Sequence, residues 1–137
     1  MGASAWDYWT AYTPDAPSAL ERLRQEAFQS GEYFKFDDQA FATVEELIEY
    51  NEDAGTHSII DMERVVPEME DSDGVVWPAT DAELEFVLGT RTPTHDLVEQ
   101  HKNKLIDLVD ERWAGRYLVA YKDDQPDELF FFGISGD

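Results

Sequence analysis

The sequence predicts an α+β fold: one domain, residues 1–137, built as a sandwich of about four helices on one face of a mainly antiparallel sheet of about four to five strands. Three observations carry this. The end of the chain holds two apolar runs divided by a polar turn, the pattern of a C-terminal β-hairpin. Upstream, helix-starting and helix-stopping residues repeatedly bracket amphipathic stretches. The 137 residues are 42% hydrophobic and 13% aromatic, enough for a core without disulfide or metal. No fixed-period repeat and no long linker divides the chain.

Residues 6–12, rich in Trp and Tyr, read as a strand. Thr13-Pro14-Asp15-Ala16-Pro17 is the turn after it, with Asp15 placed to N-cap a helix and proline suited to its first turn. Leu20, Leu23 and Ala27, with Phe28 beside them, form that helix's inner stripe, and Gly31 ends it. Residues 32–36 read as a short strand. Thr43 and Glu46 have capping-box spacing and open a helix whose inner face is Val44, Leu47 and Ile48, stopped by Gly55. Residues 58–66 read as a strand ended by Pro67, 68–74 as an acidic loop, and 75–77 as a short extended piece.

Thr80 and Glu83 form a second capping box, for a helix through Leu84, Phe86, Val87 and Leu88 that Gly89 caps. The last helix is expected to start at Thr92-Pro93. Val98, Leu105, Val109 and Trp113 form its inner stripe, with His101 on the same face, and Gly115 ends it. Residues 117–121 and 128–134 then make the hairpin around a turn at 122–127. A lone two-stranded ribbon is barely stable in water, so the hairpin should join 6–12 or 58–66 in one sheet. Trp6, Tyr8, Trp9, Phe130, Phe131 and Phe132 put aromatics on both sides of their strands, which argues for burial on both.

Charge sets the function classes. There are 31 acidic side chains against 10 basic ones, a formal charge of −21. Such a surface repels phosphate and anionic lipid, which argues against direct nucleic-acid or membrane binding. It attracts basic proteins and speeds their encounter. Solubility or adaptation to a salty cytosol is the competing explanation, and the scarcity of lysine fits it. The absence of cysteine removes thiolate chemistry. There is no apolar run of membrane-spanning length, and the start of the chain lacks the pattern of a signal peptide, so a cytoplasmic location is expected.

Several strings taken together, Tyr12-Thr13-Pro14-Asp15, Gly55-Thr56-His57-Ser58-Ile59-Ile60, Thr92-Pro93-Thr94-His95 and Tyr121-Lys122-Asp123-Asp124-Gln125-Pro126-Asp127-Glu128-Leu129-Phe130-Phe131, resemble a group of small bacterial proteins without assigned activity. The resemblance covers most of the chain. It implies a bacterial origin and one compact domain, and it brings no catalytic motif.

Two kinds of site can be drawn from the residues. His57 and His95 sit in similar settings, each at the edge of a regular element. With a carboxylate such as Asp61 or Asp96 they could bind a divalent metal or supply a general base. No HExxH, P-loop, dinucleotide fingerprint or nucleophile elbow occurs. No cofactor, metal or catalytic set is therefore assigned. The more economical reading is a binding face made of Glu45, Glu49, Glu52, Asp53, Glu68, Glu70, Asp71 and Asp73, interrupted by a single cation, Arg64. Carboxylates on such a face can stand where phosphates would lie in the basic cleft of a nuclease, toxin or nucleic-acid-handling protein. The expected function is thus an acidic protein-binding module that inhibits a basic partner, of immunity-protein or nucleic-acid-mimic type. The alternative is a small enzyme or ligand-binding domain with a histidine and carboxylate pocket.

Overall fold

A computed structural model describes residues 4–31, 33, 40–51 and 55–135. The expected strand at 32–36 lies outside these residues, apart from Tyr33. Five strands form one sheet: β1 (Ala5–Ala11), β2 (Arg64–Val65), β3 (Val75–Pro78), β4 (Ala114–Lys122) and β5 (Gln125–Ile134), in the order β1-β5-β4-β3-β2. The helices are α1 (Ala16–Ser30), α2 (Val44–Tyr50), α3 (Asp81–Leu88) and α4 (His95–Ile106), with a 3-10 turn at Ile59–Asp61.

The α+β class and the C-terminal strand pair agree with the sequence reading, and the strand at 6–12 joins that pair as expected. The sheet itself is mixed. β5 runs antiparallel to β1 and to β4, whereas β3 is parallel to both β4 and β2. Parallel neighbours need a return path along the strand, and between β3 and β4 that path is α3 followed by α4.

The return path also explains why helices cover both faces of the sheet and not one. Leu129 and Phe131 of β5 pack with α1, α2 and the 3-10 turn, through Leu20, Leu23, Leu47, Ile59 and Ile60. Phe130 and Phe132 point the other way, into Leu84 and Leu88 of α3 and Val98 and Leu105 of α4. The consecutive phenylalanines of β5 are all fully buried because that strand has a core on each side.

Local chemistry places most boundaries. Asp15, Thr43, Thr80 and Thr94 each cap the helix that follows, accepting from the amides of Ser18, Glu46, Glu83 and Leu97. At Thr80 the full capping box is present. The hairpin turn shrinks to Asp123 and Asp124, with φ of 53° and 63°, the left-handed pair that a two-residue turn needs to match strand twist.

Three sequence expectations are corrected. Residues 58–66 are no strand: Ser58 Oγ accepts from the Ile60 amide, and Asp61 Oδ1 accepts from the amide and hydroxyl of Thr56. These side-chain bonds hold a tight 3-10 turn, leaving only Arg64–Val65 to pair. The second helix stops at Tyr50, before Gly55. The last helix ends at Ile106. Val109 is buried beyond it, Trp113 takes φ 62°, and Gly115 belongs to β4.

Gly115 and Gly133 are needed for packing. They are partners across β4 and β5, and Gly133 also faces Trp6 of β1. A Cβ on Gly133 would lie 2.2 Å from Trp6 Cζ2, and one on Gly115 would lie 2.8 Å from Trp6 Cη2. The two glycines form a trough in which the buried indole lies.

Candidate functional site

A cleft of about 250 Å³ opens between the C-terminal end of α2 and the chain around the β2–β3 loop. Ile48 and Asn51 come from α2. Asp61, Glu63, Asp73 and Gly74 come from the 3-10 turn and the segments on either side of β2, and Trp113 from the approach to β4. None of the described lining residues is basic.

The backbone around the cleft is held in unusual conformations. Trp113 at φ 62° and His57 at φ 55° are left-handed without being glycine, and Gly55 and Gly74 are left-handed at 73° and 78°. A bulky residue there is strained, by about 1–3 kcal/mol, and persists only when its surroundings over-determine it. At Trp113 they do. Its carbonyl accepts from the Gly74 amide at 2.7 Å and its amide donates to the Ile134 carbonyl at 3.0 Å. Gly55 is required sterically as well, since a Cβ there would stand 2.7 Å from Asp61 Oδ2 and 3.0 Å from the Trp113 ring.

Asp61 is the chemical centre of this arrangement. It is only 7% exposed. Oδ1 is satisfied by Thr56 at 2.7 Å and 2.9 Å, whereas Oδ2, on the Gly55 side, is buried with no hydrogen-bond partner among the described residues. Desolvation pushes the pKa of this carboxyl up; the bonds from Thr56, and the charge and backbone amide of nearby His57, oppose it without cancelling it. Glu63 and Asp73 are exposed at the rim. The site thus offers a buried carboxyl oxygen, two solvated carboxylates and an indole. Such a set favours a cation with N–H donors and an extended body.

Of the acidic residues singled out from the sequence, Asp73 lines this cleft, whereas Glu49 lines a separate depression with Phe41, Glu46 and Tyr50, and Glu68 another with Met69, Trp77 and Arg116. Glu45 and Glu49 are exposed on α2, which gives Ile48 and Asn51 to the cleft, and Glu68, Glu70, Asp71 and Asp73 are exposed in the β2–β3 loop, which gives it Asp73 and Gly74. Glu70 is paired with Arg64 at 2.9 Å. Glu52 and Asp53 lie outside the described residues.

The two histidine candidates are not brought together. His57 sits beside Asp61 on the α1–α2 side of the sheet. His95 begins α4 on the other side, stacked on Trp9 with ring centroids 4.0 Å apart and with Nδ1 2.8 Å from Glu128 Oε1. Among the described residues, no group of three or more His, Asp or Glu side chains is placed to hold a metal ion. Asp96, on α4, is likewise remote from the cleft-lining set.

The sequence named Asp61 only as a partner for the histidines and Trp113 only as part of a helix's inner stripe, and gave no sign of Arg116. Arg116 is 3% exposed and lies over the Trp77 ring at 4.8 Å; it donates to both oxygens of Glu83 and to the carbonyls of Trp77, Pro78 and Leu108. It is a structural clamp between β4, β3 and α3.

The chain has no significant match among known protein families, curated proteins or solved structures. No helix among the described residues is long and apolar enough to cross a membrane.

Proposed function

We propose that this protein is an acidic binding module that captures and blocks a basic protein partner, through the face that carries the cleft. The observation that supports it is the placement of the cleft between the two acidic segments, α2 and the β2–β3 loop. The solvated carboxylates attract and steer the partner, and the concave centre supplies a point of fixed docking. A partner with a phosphate-holding cleft, such as a nuclease, a toxin or a nucleic-acid-handling protein, has the complementary charge. The reading is that of an immunity protein or a nucleic-acid mimic.

The test is association kinetics against the basic products of neighbouring genes, at two salt concentrations. Exposed ion pairs contribute about 0–1 kcal/mol each. Neutralising Glu45, Glu49, Glu68, Glu70 and Asp71 together should therefore chiefly slow association, and added salt should have the same effect. Failure to capture a basic partner, or an association rate indifferent to salt, refutes the proposal.

A second reading, a small enzyme, draws on Asp61 alone: a buried carboxyl with a raised pKa in a cleft is suited to general acid chemistry. It requires a turnover that Asp61→Asn abolishes while partner association is unchanged.

A further inference from the structure

We infer that the cleft is a receptor for one arginine side chain of the partner, whose guanidinium pairs with Asp61 Oδ2 while its plane lies against Trp113. The inference rests on the proposed binding function and names what enters the cleft.

Buried polar atoms are nearly always paired, so a carboxyl oxygen buried without a donor is a place where one is missing. The described surroundings make this oxygen difficult to satisfy. Gly55 stands next to it with no side chain, and any Cβ there would collide with it. The other carboxyl oxygen is already engaged by Thr56, which fixes the orientation of the group. Asp61 lines the cleft, so a donor entering the cleft can reach this group.

Size and shape select the donor. The volume of about 250 Å³ is below the roughly 300–1,000 Å³ of sites that enclose drug-sized ligands, and suits a single side chain. Glu63 and Asp73 at the mouth add negative charge. Ile48 and Trp113 offer apolar surface to an alkyl stem and a flat cation. An ammonium group would pair with the carboxylates but has no plane to lay on the indole. A guanidinium does both, with several donors in a fixed fork.

The probe is Nα-acetyl-arginine N-methylamide, whose only charge is the guanidinium, compared with its citrulline and lysine counterparts. Binding is read from the indole N–H resonance of Trp113, assigned with Trp113→Phe. The arginine probe should shift that resonance and the citrulline probe should not, with lysine weaker than arginine. Asp61→Asn should reduce the arginine probe's affinity by at least about tenfold. Should that variant fail to fold, Glu63→Gln/Asp73→Asn, altered only at exposed positions, should weaken the arginine probe and leave citrulline indifferent. No response to arginine, equal response to citrulline, tighter binding of lysine, or unchanged affinity in the variants overturns the inference. The partner assay separates the two proposals. If cleft variants bind the partner as tightly as the parent and its association still depends on salt, the arginine receptor fails and the acidic binding face stands. If the probe binds as expected but partner association ignores salt, the reverse holds.

Discussion

Replacing Asp61 by Asn should make the protein more stable at neutral pH, and the gain should grow with pH. The carboxyl is buried, one of its oxygens has no partner, and desolvation raises its pKa. The folded protein therefore holds the Asp61 proton to a higher pH than the unfolded chain, whose value is about 3.9. The stabilising contribution of the neutral carboxyl is complete below that unfolded value and is lost as pH rises through the folded one. Above it, the folded state carries a buried charge with an unsatisfied oxygen, at a cost of about 1–3 kcal/mol. An Asn keeps an acceptor for Thr56 and carries no charge. The two proteins should be nearly equal near pH 3. By pH 8 the variant should lead by about 1–3 kcal/mol, or about 3–6 °C in melting temperature per kcal/mol for a chain of this size. Urea unfolding of both proteins at matched pH is the assay. Titration of the other carboxylates is common to both and cancels in the difference. A variant that is less stable at pH 8, or a difference that is flat with pH, would refute the argument. Together with the loss of arginine binding in the same variant, the expected outcome is a trade of stability for function at one oxygen atom.

Two further changes test the frame around the site. Gly133→Ala should lower stability by about 1–3 kcal/mol or more, because its methyl would meet Trp6 Cζ2 at 2.2 Å and the Ala114 carbonyl at 2.6 Å; an unchanged urea midpoint would contradict the trough. Glu83→Ala should cost about 3–5 kcal/mol by leaving buried Arg116 without its counter-charge. Burial acts to raise the Glu83 pKa, but the bonds and charge of Arg116 and the bonds from Thr80 outweigh it and hold the pKa down. Its contribution is therefore present above the unfolded value and lost as pH falls through the folded one, so acid unfolding should narrow the gap between parent and variant.

The sequence made legible whatever is encoded locally. Caps at Asp15, Thr43, Thr80 and Thr94 and stops at Gly31 and Gly89 lie within a few residues of one another along the chain, and their chemistry needs no tertiary knowledge. The burial of aromatics on both sides of β5 was legible for the same reason. Strand direction was not, because the parallel pairing of β3 depends on where α3 and α4 return the chain. The run Ile59, Ile60, Met62 is apolar enough for a strand, and only the bonds from Ser58 and Asp61, side chain to backbone, turn it into a 3-10 element. The acidic segments were visible as composition. The cleft between them was not, since Asp61 and Trp113 meet only after β3 and β4 pair. Gly115 looked like a helix stop because a glycine that accommodates an indole from two strands away in the sheet leaves no mark in sequence.

The open side of β1 has a further consequence. Among the described residues, β1 pairs only with β5 and so ends the sheet, in a segment rich in Trp and Tyr. Such an edge is a template for a strand from another molecule. Here Asp7 places an exposed charge in the middle of it, and Arg22 of α1 donates to Thr10 Oγ1 and reaches the Ala11 carbonyl at 3.4 Å. Beyond these, any two copies approach with −21 on each. That repulsion keeps the sheets of separate molecules from fusing edge to edge. Acid that protonates the carboxylates, or salt that screens them, weakens this repulsion, so resistance to self-association should fall with both.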